Sequence, residues 1–249
     1  MKSTWFGTRE RYDFGRLLHD SSSGHQCWTT FDWFLDLASM SLRQAGNAVR
    51  LYFDDDLEAK YMQVVAQVKQ PAKLAEAFSV LVDSLSKTPE DFLGKFLSEM
   101  GMNDKAFRGQ CFTPTEVSRC VAEMCLVDIK RDKPSHRLLI AEPACGCGSM
   151  VIAASCVLRE NEFGPNDYYF VATDIDSRCH RATYIQATLL DIPATVIHGN
   201  TLSLEQWASW DTFRAIVSPY REPRRKIIEQ PEPCQTLPTS SKPIQLSLF

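Results

Sequence analysis

Apolar residues recur at three- and four-residue steps through the first 105 residues, a spacing that predicts amphipathic helices. Thr29 and Thr30 are candidate caps for the first helix, which is expected to end near Gly46, and Pro71 ends the second. Residues 1–30 lack the periodicity and are predicted to form a partly ordered lead-in. The four apolar stripes consist of Phe31, Phe34, Leu35, Ala38, Leu42 and Ala45; Leu57, Tyr61, Val64, Val65 and Val68; Leu74, Phe78, Leu81, Val82 and Leu85; and Phe92, Phe96, Leu97 and Met100.

The start and end of the fourth of these helices carry local signals. Thr88-Pro-Glu-Asp91 combines a cap, a proline suited to a first helical turn and two acids that complement the helix dipole. Gly101 follows the last apolar position and predicts the end of the helix there. The sequence therefore predicts a helical N-terminal region over residues 1–105, whose aromatic residues form its core.

Short apolar runs alternate with helical stretches between residues 106 and 220. The predicted strands are Leu138–Ala141, Tyr168–Thr173, Ile192–Gly199 and Phe213–Val217. A helix follows the first strand, and Ser177–Leu190 forms another behind Asp176 as its cap. This alternation is typical of an α/β fold with a parallel sheet, in which strand 138–141 is expected to be central.

A helix is also predicted ahead of the first strand. Thr113-Pro-Thr-Glu116 has the form of a capping box with a proline in the first turn. Val117, Val121, Met124 and Cys125 follow at helical spacing and are expected to be the buried stripe of this helix.

The segment Glu142-Pro-Ala-Cys-Gly-Cys-Gly-Ser149 connects the first predicted strand to its helix. Glycines in such a loop allow positive φ angles and close approach of a ligand, and Ser149 is a candidate cap for the helix. Asp174, at the end of the next strand, offers two acceptor oxygens to the vicinal hydroxyls of a ribose. This pattern suits a nucleotide-like ligand, although short Gly-x-Gly stretches also occur as plain strand-to-helix turns.

Composition limits the possible partners and setting of the chain. Its 249 residues are 44% hydrophobic, enough for a sizeable core, and a net charge of -4 with a pI near 5.8 gives no overall nucleic-acid footprint. Nine cysteines lack a CxxC pair, and there is neither a signal peptide nor a membrane-spanning stretch, so a reduced cytoplasm is expected. Cys145 and Cys147 are interpreted as small apolar loop residues, and no metal site is predicted.

Two segments resemble motifs of the N6-adenine DNA methyltransferases, especially the modification subunit of type I restriction systems. Glu142–Ser149 resembles that family's Asp-Pro-Ala-Cys-Gly-Ser-Gly-Gly loop, and Gly109-Gln-Cys-Phe-Thr-Pro114 is similar to its Gly-Gln-Phe-Tyr-Thr-Pro segment. The resemblance extends from about Phe107 to Tyr220. It implies a Rossmann-like core, S-adenosylmethionine as cofactor, and DNA as substrate with help from a partner such as a specificity subunit.

The resemblance also implies a set of cofactor contacts. S-adenosylmethionine would lie over the loop, with Asp174 on the ribose, Asn200 near the adenine and Thr113 closing the site. Asn200 stands where the family usually has an acid, so weaker cofactor binding is expected. The implied contacts are Phe112, Thr113, Glu142, Pro143, Ala144, Gly146, Gly148, Asp174 and Asn200.

The catalytic motif of the family is altered in this chain. Asn-Pro-Pro-Tyr or Asp-Pro-Pro-Tyr, which grips the target amine and stacks on the flipped base, is replaced by Val217-Ser-Pro-Tyr220. An ungapped match puts Val217 at the gripping position, whereas deletion of one proline puts Ser218 there. Ser218, Pro219 and Tyr220 are therefore the catalytic candidates, and low or absent methylation by the isolated chain is expected. A cofactor-binding module without catalysis and an interaction protein remain as alternatives.

Residues 221–249 are predicted to be a flexible tail, since five prolines interrupt Arg221–Pro243. The last five residues, Gln245-Leu-Ser-Leu-Phe249, resemble the pentapeptide with which bacterial replication and repair proteins bind the DNA polymerase sliding clamp. The resemblance implies such a clamp as partner, and an ordinary C-terminal tail is the alternative. The predicted organisation is thus a helical region over 1–105, an α/β domain over 106–220 and a tail over 221–249.

Overall fold

The computed structural model describes residues 7–21, 27–101, 113–127, 129 and 137–218, together with the backbone of 245–247. Helices occupy the N-terminal part, and strands alternate with helices after residue 137. The elements are α1 Arg9–Ser21, α2 Cys27–Val49, α3 Asp55–Gln67, α4 Pro71–Lys87, α5 Phe92–Glu99, α6 Thr115–Leu126, β1 Leu138–Glu142, α7 Ser149–Glu160, β2 Tyr168–Asp174, α8 Ser177–Leu189, β3 Ala194–Asn200, β4 Glu205–Asp211, α9 Phe213–Val217 and β5 Gln245–Ser247.

An aromatic core holds the N-terminal helices together. The ring of Phe14 in α1 packs edge-on against Phe34, Phe92 and Phe96, with ring centroids 4.9–5.3 Å apart. The prediction of a partly ordered lead-in over residues 1–30 is therefore wrong for α1. Phe14, Leu17 and Leu18 bury their side chains against the other helices, and this tertiary packing stabilises a short helix with a weak sequence pattern.

Several helix boundaries differ from their predictions. Helix α2 begins at Cys27, so the predicted caps Thr29 and Thr30 lie inside it, and Pro71 begins α4 rather than ending α3, which stops at Gln67. Helix α2 passes through Gly46 to Val49, because the missing side chain at Gly46 lets Ile216 approach to 2.8 Å from the position of a Cβ atom. Helix α5 begins after Asp91 rather than Thr88, since the Asp91 carboxylate accepts a 2.8 Å hydrogen bond from the amide of Gly94. At its other end, α5 stops at Glu99 and Gly101 takes a φ of +65°, close to the predicted end.

The sheet confirms the predicted α/β, Rossmann-like core. Its strand order is β4-β3-β2-β1-β5, with β5, β1, β2 and β3 mutually parallel. Helix α7 connects β1 to β2, and α8 connects β2 to β3. Strand β1 therefore has a parallel neighbour on each side, and the carboxyl ends of β1, β2 and β3 meet at one end of the sheet.

The prediction of a fourth strand at Phe213–Val217 is wrong, because this segment forms helix α9. The Thr212 hydroxyl caps α9, donates a 2.7 Å hydrogen bond to the carbonyl of Ile192 and accepts one from the amide of Ala194. The fourth strand of the sheet is instead β4, which pairs with β3 on the side away from β2 and runs antiparallel to it. The alternating apolar pattern that marks a half-buried strand is missing from β4, whose residues are mostly exposed.

The predicted buried stripe of α6 is also wrong. Val117 and Met124 are 49% and 71% exposed, Val121 is half-buried and Cys125 is exposed. Helix α6 instead contacts α7 through the face that carries Ser118, Ala122 and Leu126. The small side chains of Ser118 and Ala122 allow α6 and α7 to approach closely.

Candidate cofactor site

The loop after β1, residues 143–148, lies at the carboxyl ends of the parallel strands. Gly146 and Gly148 have φ angles of +54° and +100°, a region that L side chains rarely adopt. A Cβ atom at Gly148 would also lie 3.2 Å from the hydroxyl oxygen of Thr183 in α8. The predicted need for glycine in this loop is therefore confirmed at both positions.

The start of α7 differs from the prediction that Ser149 caps it. Gly148 is the cap residue, and Ser149 is the first helical residue. The Ser149 hydroxyl lies 2.7 Å from that of Ser118 and 3.2 Å from the carbonyl oxygen of Thr113. Likewise, no capping box forms at α6, whose cap residue is Pro114 without a side-chain bond. Ser149 therefore attaches the start of α6 to the loop.

Hydrogen bonds from β2 and α8 hold the peptide groups in the middle of the loop. The amide of Cys145 donates to the carbonyl of Thr173 at 2.9 Å. The Thr183 hydroxyl donates to the Gly146 carbonyl at 2.8 Å, and the Gln186 side-chain amide donates to the Cys147 carbonyl at 2.7 Å. The loop conformation is thus set by the protein before any ligand binds.

The carboxylate of Asp174 contributes to the same loop. One of its oxygens accepts a 2.8 Å hydrogen bond from the amide of Gly146, and the other accepts a 2.8 Å bond from the amide of Asp176. Burial nevertheless raises the pKa of Asp174 above its ordinary value. The Asp176 side chain accepts from the amide of Arg178, which confirms it as the cap of α8.

Glu142 carries the most unusual side chain of the site. It is 1% exposed, and one carboxylate oxygen accepts a 3.1 Å hydrogen bond from the amide of Ala144. The other oxygen is buried and, among the described residues, has no hydrogen-bond partner. Burial, reinforced by the charge of Asp174, raises the pKa of Glu142 to about 6.

Asn200 lies at the end of β3 on the same side of the sheet. Its side-chain carbonyl accepts hydrogen bonds from the amides of Leu202 at 3.0 Å and Ser203 at 3.3 Å. The oxygen predicted to meet an exocyclic amine therefore already accepts two bonds from its own turn. Beside it, the Thr201 hydroxyl donates a 2.6 Å bond to the carbonyl of Pro143, which links this turn to the loop.

Ser218 lies at the opposite end of the sheet from the loop. Its hydroxyl accepts a 2.9 Å hydrogen bond from Arg137, the residue before β1, and lies 3.4 Å from the side-chain oxygen of Asn166. Six residue steps along β1 separate Arg137 from Pro143, the first residue of the loop, so the two ends of the sheet are roughly 20 Å apart. Phe112, Pro219 and Tyr220 fall outside the described residues.

The structure thus brings most of the predicted cofactor contacts together and leaves the catalytic candidate Ser218 apart from them. The contacts gathered at the carboxyl ends of the strands are Thr113, Glu142, Pro143, Ala144, Gly146, Gly148, Asp174 and Asn200. Sequence reasoning missed the supports from Thr183 and Gln186. The feature of the sequence that could have indicated them is a pair of polar residues three positions apart in a largely buried helix.

The two loop cysteines lie in the interior and, among the described residues, are not part of a metal site. Cys145 and Cys147 are both buried, and their surroundings raise the pKa of each thiol. Within the part of the chain that the structure describes, no group of three or more His, Cys, Asp or Glu side chains is arranged to hold a metal ion. None of its helices combines the length and apolar character that crossing a membrane requires.

Two solved structures match this chain at low similarity. One is a protein from Listeria monocytogenes assigned to the class I S-adenosylmethionine-dependent methyltransferases, with a TM-score of 0.48, 15% identity, and coverage of 78% of this chain and 54% of that one. The other is the methyltransferase subunit of a type I restriction-modification system from Streptococcus thermophilus, with a TM-score of 0.35, 10% identity, and coverage of 74% and 55%. The chain therefore spans about half the length of each.

Family membership rests on the sequence itself. A comparison with curated proteins finds no match. The chain does match the N-6 DNA methylase family over residues 82–234, which include the glycine loop, Asp174 and Asn200 and make up more than half of its length. The protein is therefore a member of the N-6 DNA methylase family.

Proposed function

We propose that the chain binds S-adenosylmethionine at the loop after β1 and takes part in N6-adenine methylation of DNA together with a partner. The observation that carries this proposal is a buried oxygen of Glu142 that has no hydrogen-bond partner among the described residues. It lies beside a loop in which the peptide groups of Gly146 and Cys147 are bonded to other parts of the protein. A buried acceptor without a donor is costly, so this position suits a ligand that supplies an N–H or O–H group. S-adenosylmethionine carries an ammonium, two ribose hydroxyls and an exocyclic amine.

Other residues of the site are compatible with the same ligand. Each oxygen of Asp174 accepts one protein hydrogen bond and retains acceptor capacity for a ribose hydroxyl. The N-terminal end of α7, a 12-residue helix, favours the cofactor's carboxylate. When bound, the cofactor supplies an electrophilic methyl group, and the residues of this chain bind and orient it.

The transfer step is proposed to need a partner, such as a specificity subunit, that supplies DNA recognition. Among the described residues, the catalytic candidate Ser218 lies away from the loop, and the net charge of -4 gives no general attraction to DNA. Low or absent methylation by the isolated chain is expected. If transfer is observed, Ser218→Ala and Tyr220→Ala are expected to abolish it.

Two measurements test this proposal and its alternatives. Calorimetric titration with S-adenosylmethionine is expected to show binding that Glu142→Gln weakens, whereas Asp167→Ala at the other end of the sheet leaves it unchanged. Transfer of labelled methyl groups to unmethylated duplex DNA is then measured with and without the partner subunit. Cofactor binding without methyl transfer, both with and without the partner, would favour a catalytically inactive, cofactor-binding relative. Absence of cofactor binding would favour the interaction protein.

We also propose a bacterial sliding clamp as a partner of Gln245–Phe249 and a reduced cytoplasm as the setting. The specific observation is the match of all five positions to the clamp-binding pentapeptide. In the structure, the backbone of Gln245–Ser247 forms β5 beside Leu139–Ala141 of β1, and Leu248 and Phe249 lie outside the described residues. Clamp binding would therefore require β5 to leave the sheet.

The clamp proposal is tested with the full chain and a chain that ends at Ile244. The full chain is expected to bind a purified bacterial clamp, and the shortened chain is expected not to. Equal binding by both chains, or binding by neither, would contradict the proposal.

A further inference from the structure

Gln186 in α8 is fully buried and uses every hydrogen-bonding group of its side chain. Its amide nitrogen donates to the Cys147 carbonyl at 2.7 Å and to a carboxylate oxygen of Asp91 at 2.9 Å. Its amide oxygen accepts a 3.1 Å bond from the backbone amide of Leu93. Only a side chain with two donor hydrogens and an acceptor in this geometry satisfies all three partners.

These partners belong to two different parts of the molecule. Cys147 is in the cofactor loop, whereas Asp91 and Leu93 form the start of α5 in the helical region. The position of α5 relative to Asp91 is itself closely defined, since a Cβ atom at Gly94 would lie only 2.1 Å from the Asp91 carboxylate. Gln186 is thus a direct link between the helical region and the loop.

Ion pairs extend this link to α1. Glu90, next to Asp91, accepts a 3.1 Å bond from the guanidinium of Arg11, and Glu99 at the end of α5 accepts bonds from it at 2.9 Å. The Arg11 side chain is 7% exposed, so the link lies in the interior. Helices α1 and α5 therefore pack as one support behind Gln186.

We propose that Gln186 is a positioning residue for the cofactor, and that the helical region is part of the cofactor site because Gln186 ties it to the loop. This inference rests on the proposed binding of S-adenosylmethionine over the loop. Gln186 acts through the Cys147 carbonyl, which it holds in place between Gly146 and Gly148. Loss of this bond frees the peptide groups on which the ligand lies.

The first test compares Gln186→Met with Ile185→Val in the full chain. Methionine has a similar length but no donors or acceptors, so this variant is expected to weaken S-adenosylmethionine binding at least tenfold. Hydrogen exchange of the amides of residues 144–149 and 93–95 is expected to speed up as well. Ile185 is also fully buried in α8, and its variant is expected to lower the thermal midpoint without changing affinity or loop exchange.

A second variant separates positioning from stability. Gln186→Glu combined with Asp91→Asn exchanges donor and acceptor between the two positions, since the introduced amide can donate to the introduced carboxylate. The contact between the two side chains is then restored, but the Cys147 carbonyl still lacks a donor. The Asp91 oxygen that faces Gln186 also accepts the bond from the Gly94 amide, and an amide nitrogen in its place cannot accept that bond. The double variant is therefore expected to recover part of the thermal midpoint lost in Gln186→Glu alone, while its cofactor affinity stays low.

Several outcomes would overturn the inference. Wild-type affinity and wild-type loop exchange in Gln186→Met would remove Gln186 from the site, as would recovery of affinity in the double variant. If the wild-type chain does not bind S-adenosylmethionine, the proposed function fails. Hydrogen exchange of the loop still tests whether Gln186 positions it, and unchanged exchange would overturn the link independently.

Discussion

The two ends of the parallel sheet differ in the groups that the chain has placed there. The carboxyl ends of the strands carry a loop with two left-handed glycines, a buried Glu142 and the bonded carboxylate of Asp174. The opposite end carries Ser218, held by Arg137 and Asn166, with the Arg137 guanidinium stacked over a tyrosine ring of β2. The first end is the one that we propose for the ligand, and the other is a structural junction.

Under the proposed function, this difference separates cofactor binding from methyl transfer. Most of the groups around the loop come from β1, α7, β2 and α8, which are connected within about fifty residues of the chain. The gripping position would have to come from the segment after β4, which folds into α9 and ends at the far side of the sheet. Cofactor affinity is thus expected to respond to changes at one end only, and four variants test this expectation.

The largest effect is expected for Gly148→Ala. Alanine would have to adopt a φ near +100° and would contact Thr183, so we expect a loss of about 3 kcal/mol in unfolding free energy together with weakened cofactor binding. Gly101→Ala is the matched control, because Gly101 has a φ of +65° but no atom of the described residues lies within 4 Å of an added Cβ atom. It is expected to cost about 1 kcal/mol and to leave binding intact. Equal losses in denaturant unfolding would show that the contact with Thr183 has no effect.

The second expected effect is that of Asp174→Ala. Removal of the carboxylate leaves the amides of Gly146 and Asp176 without their partners, at a cost of about 1–3 kcal/mol, and removes the proposed ribose contact. Asp167→Ala breaks a comparable bond, the 2.7 Å bond from the amide of Gly164, at the opposite end of the sheet. Calorimetry should show weaker cofactor binding only for Asp174→Ala. An unchanged affinity would remove Asp174 from the site.

A third expectation concerns pH and Glu142. Because its pKa is about 6 in the folded protein and 4.5 ordinarily, the folded state holds this proton more tightly than the unfolded state. The stability that it contributes is therefore present below pH 4.5 and is lost as pH rises through 6, by roughly 2 kcal/mol. Chemical unfolding of the wild type and Glu142→Gln between pH 4 and 7 should show this decline as the difference between the two proteins. The difference is the measure because groups common to both proteins also change stability with pH: burial lowers the pKa of His180 to about 3, which makes stability rise over this range, and raises the pKa values of Asp36, Asp91 and Asp174.

Ligand binding should show the opposite trend with pH at the same residue. A cationic donor beside Glu142 favours its ionised form, so cofactor affinity is expected to rise between pH 5 and 7. The increase should be smaller in Glu142→Gln. A rise of the same size in both proteins would show that the pH dependence of cofactor affinity does not come from Glu142.

The smallest effect is expected for Ser218→Ala. The variant loses the hydrogen bond from Arg137 and should destabilise the protein by about 1 kcal/mol without altering cofactor affinity. A change in affinity would contradict the separation of the two ends. Loss of methyl transfer in the presence of the partner, with stability and affinity retained, would instead assign Ser218 the gripping role.

The local sequence predicted the elements whose own residues determine them. Asp176 caps α8 because its side chain reaches an amide two residues away, and glycine at positions 146 and 148 follows from the φ angles that the loop requires. Strands β1 and β2 are continuous apolar runs of the kind that parallel sheets bury on both faces. For these elements, the interactions that decide the structure lie within a few residues of one another.

Predictions failed where distant parts of the chain compete for a segment. Phe213–Val217 has the apolar pattern of a strand, but Thr212 bonds to the backbone near residue 192 and Ile216 packs over Gly46, so the segment becomes a helix. The apolar stripe of α6 faces outward because Ser118 bonds to Ser149 across the helix contact. Neither contact is visible in a local pattern.

The local sequence was enough to predict the Rossmann-like core, the glycine loop and the acid at the end of β2, because each depends on short-range geometry and on the burial of contiguous apolar residues. The tertiary structure alone decided that Thr183 and Gln186 support the loop, that Glu142 keeps a buried oxygen without a described partner, and that Ser218 lies at the far end of the sheet. These outcomes depend on which groups meet across tens of residues of chain, and a hydrogen bond or a desolvated charge exists only after the helices have packed on the sheet.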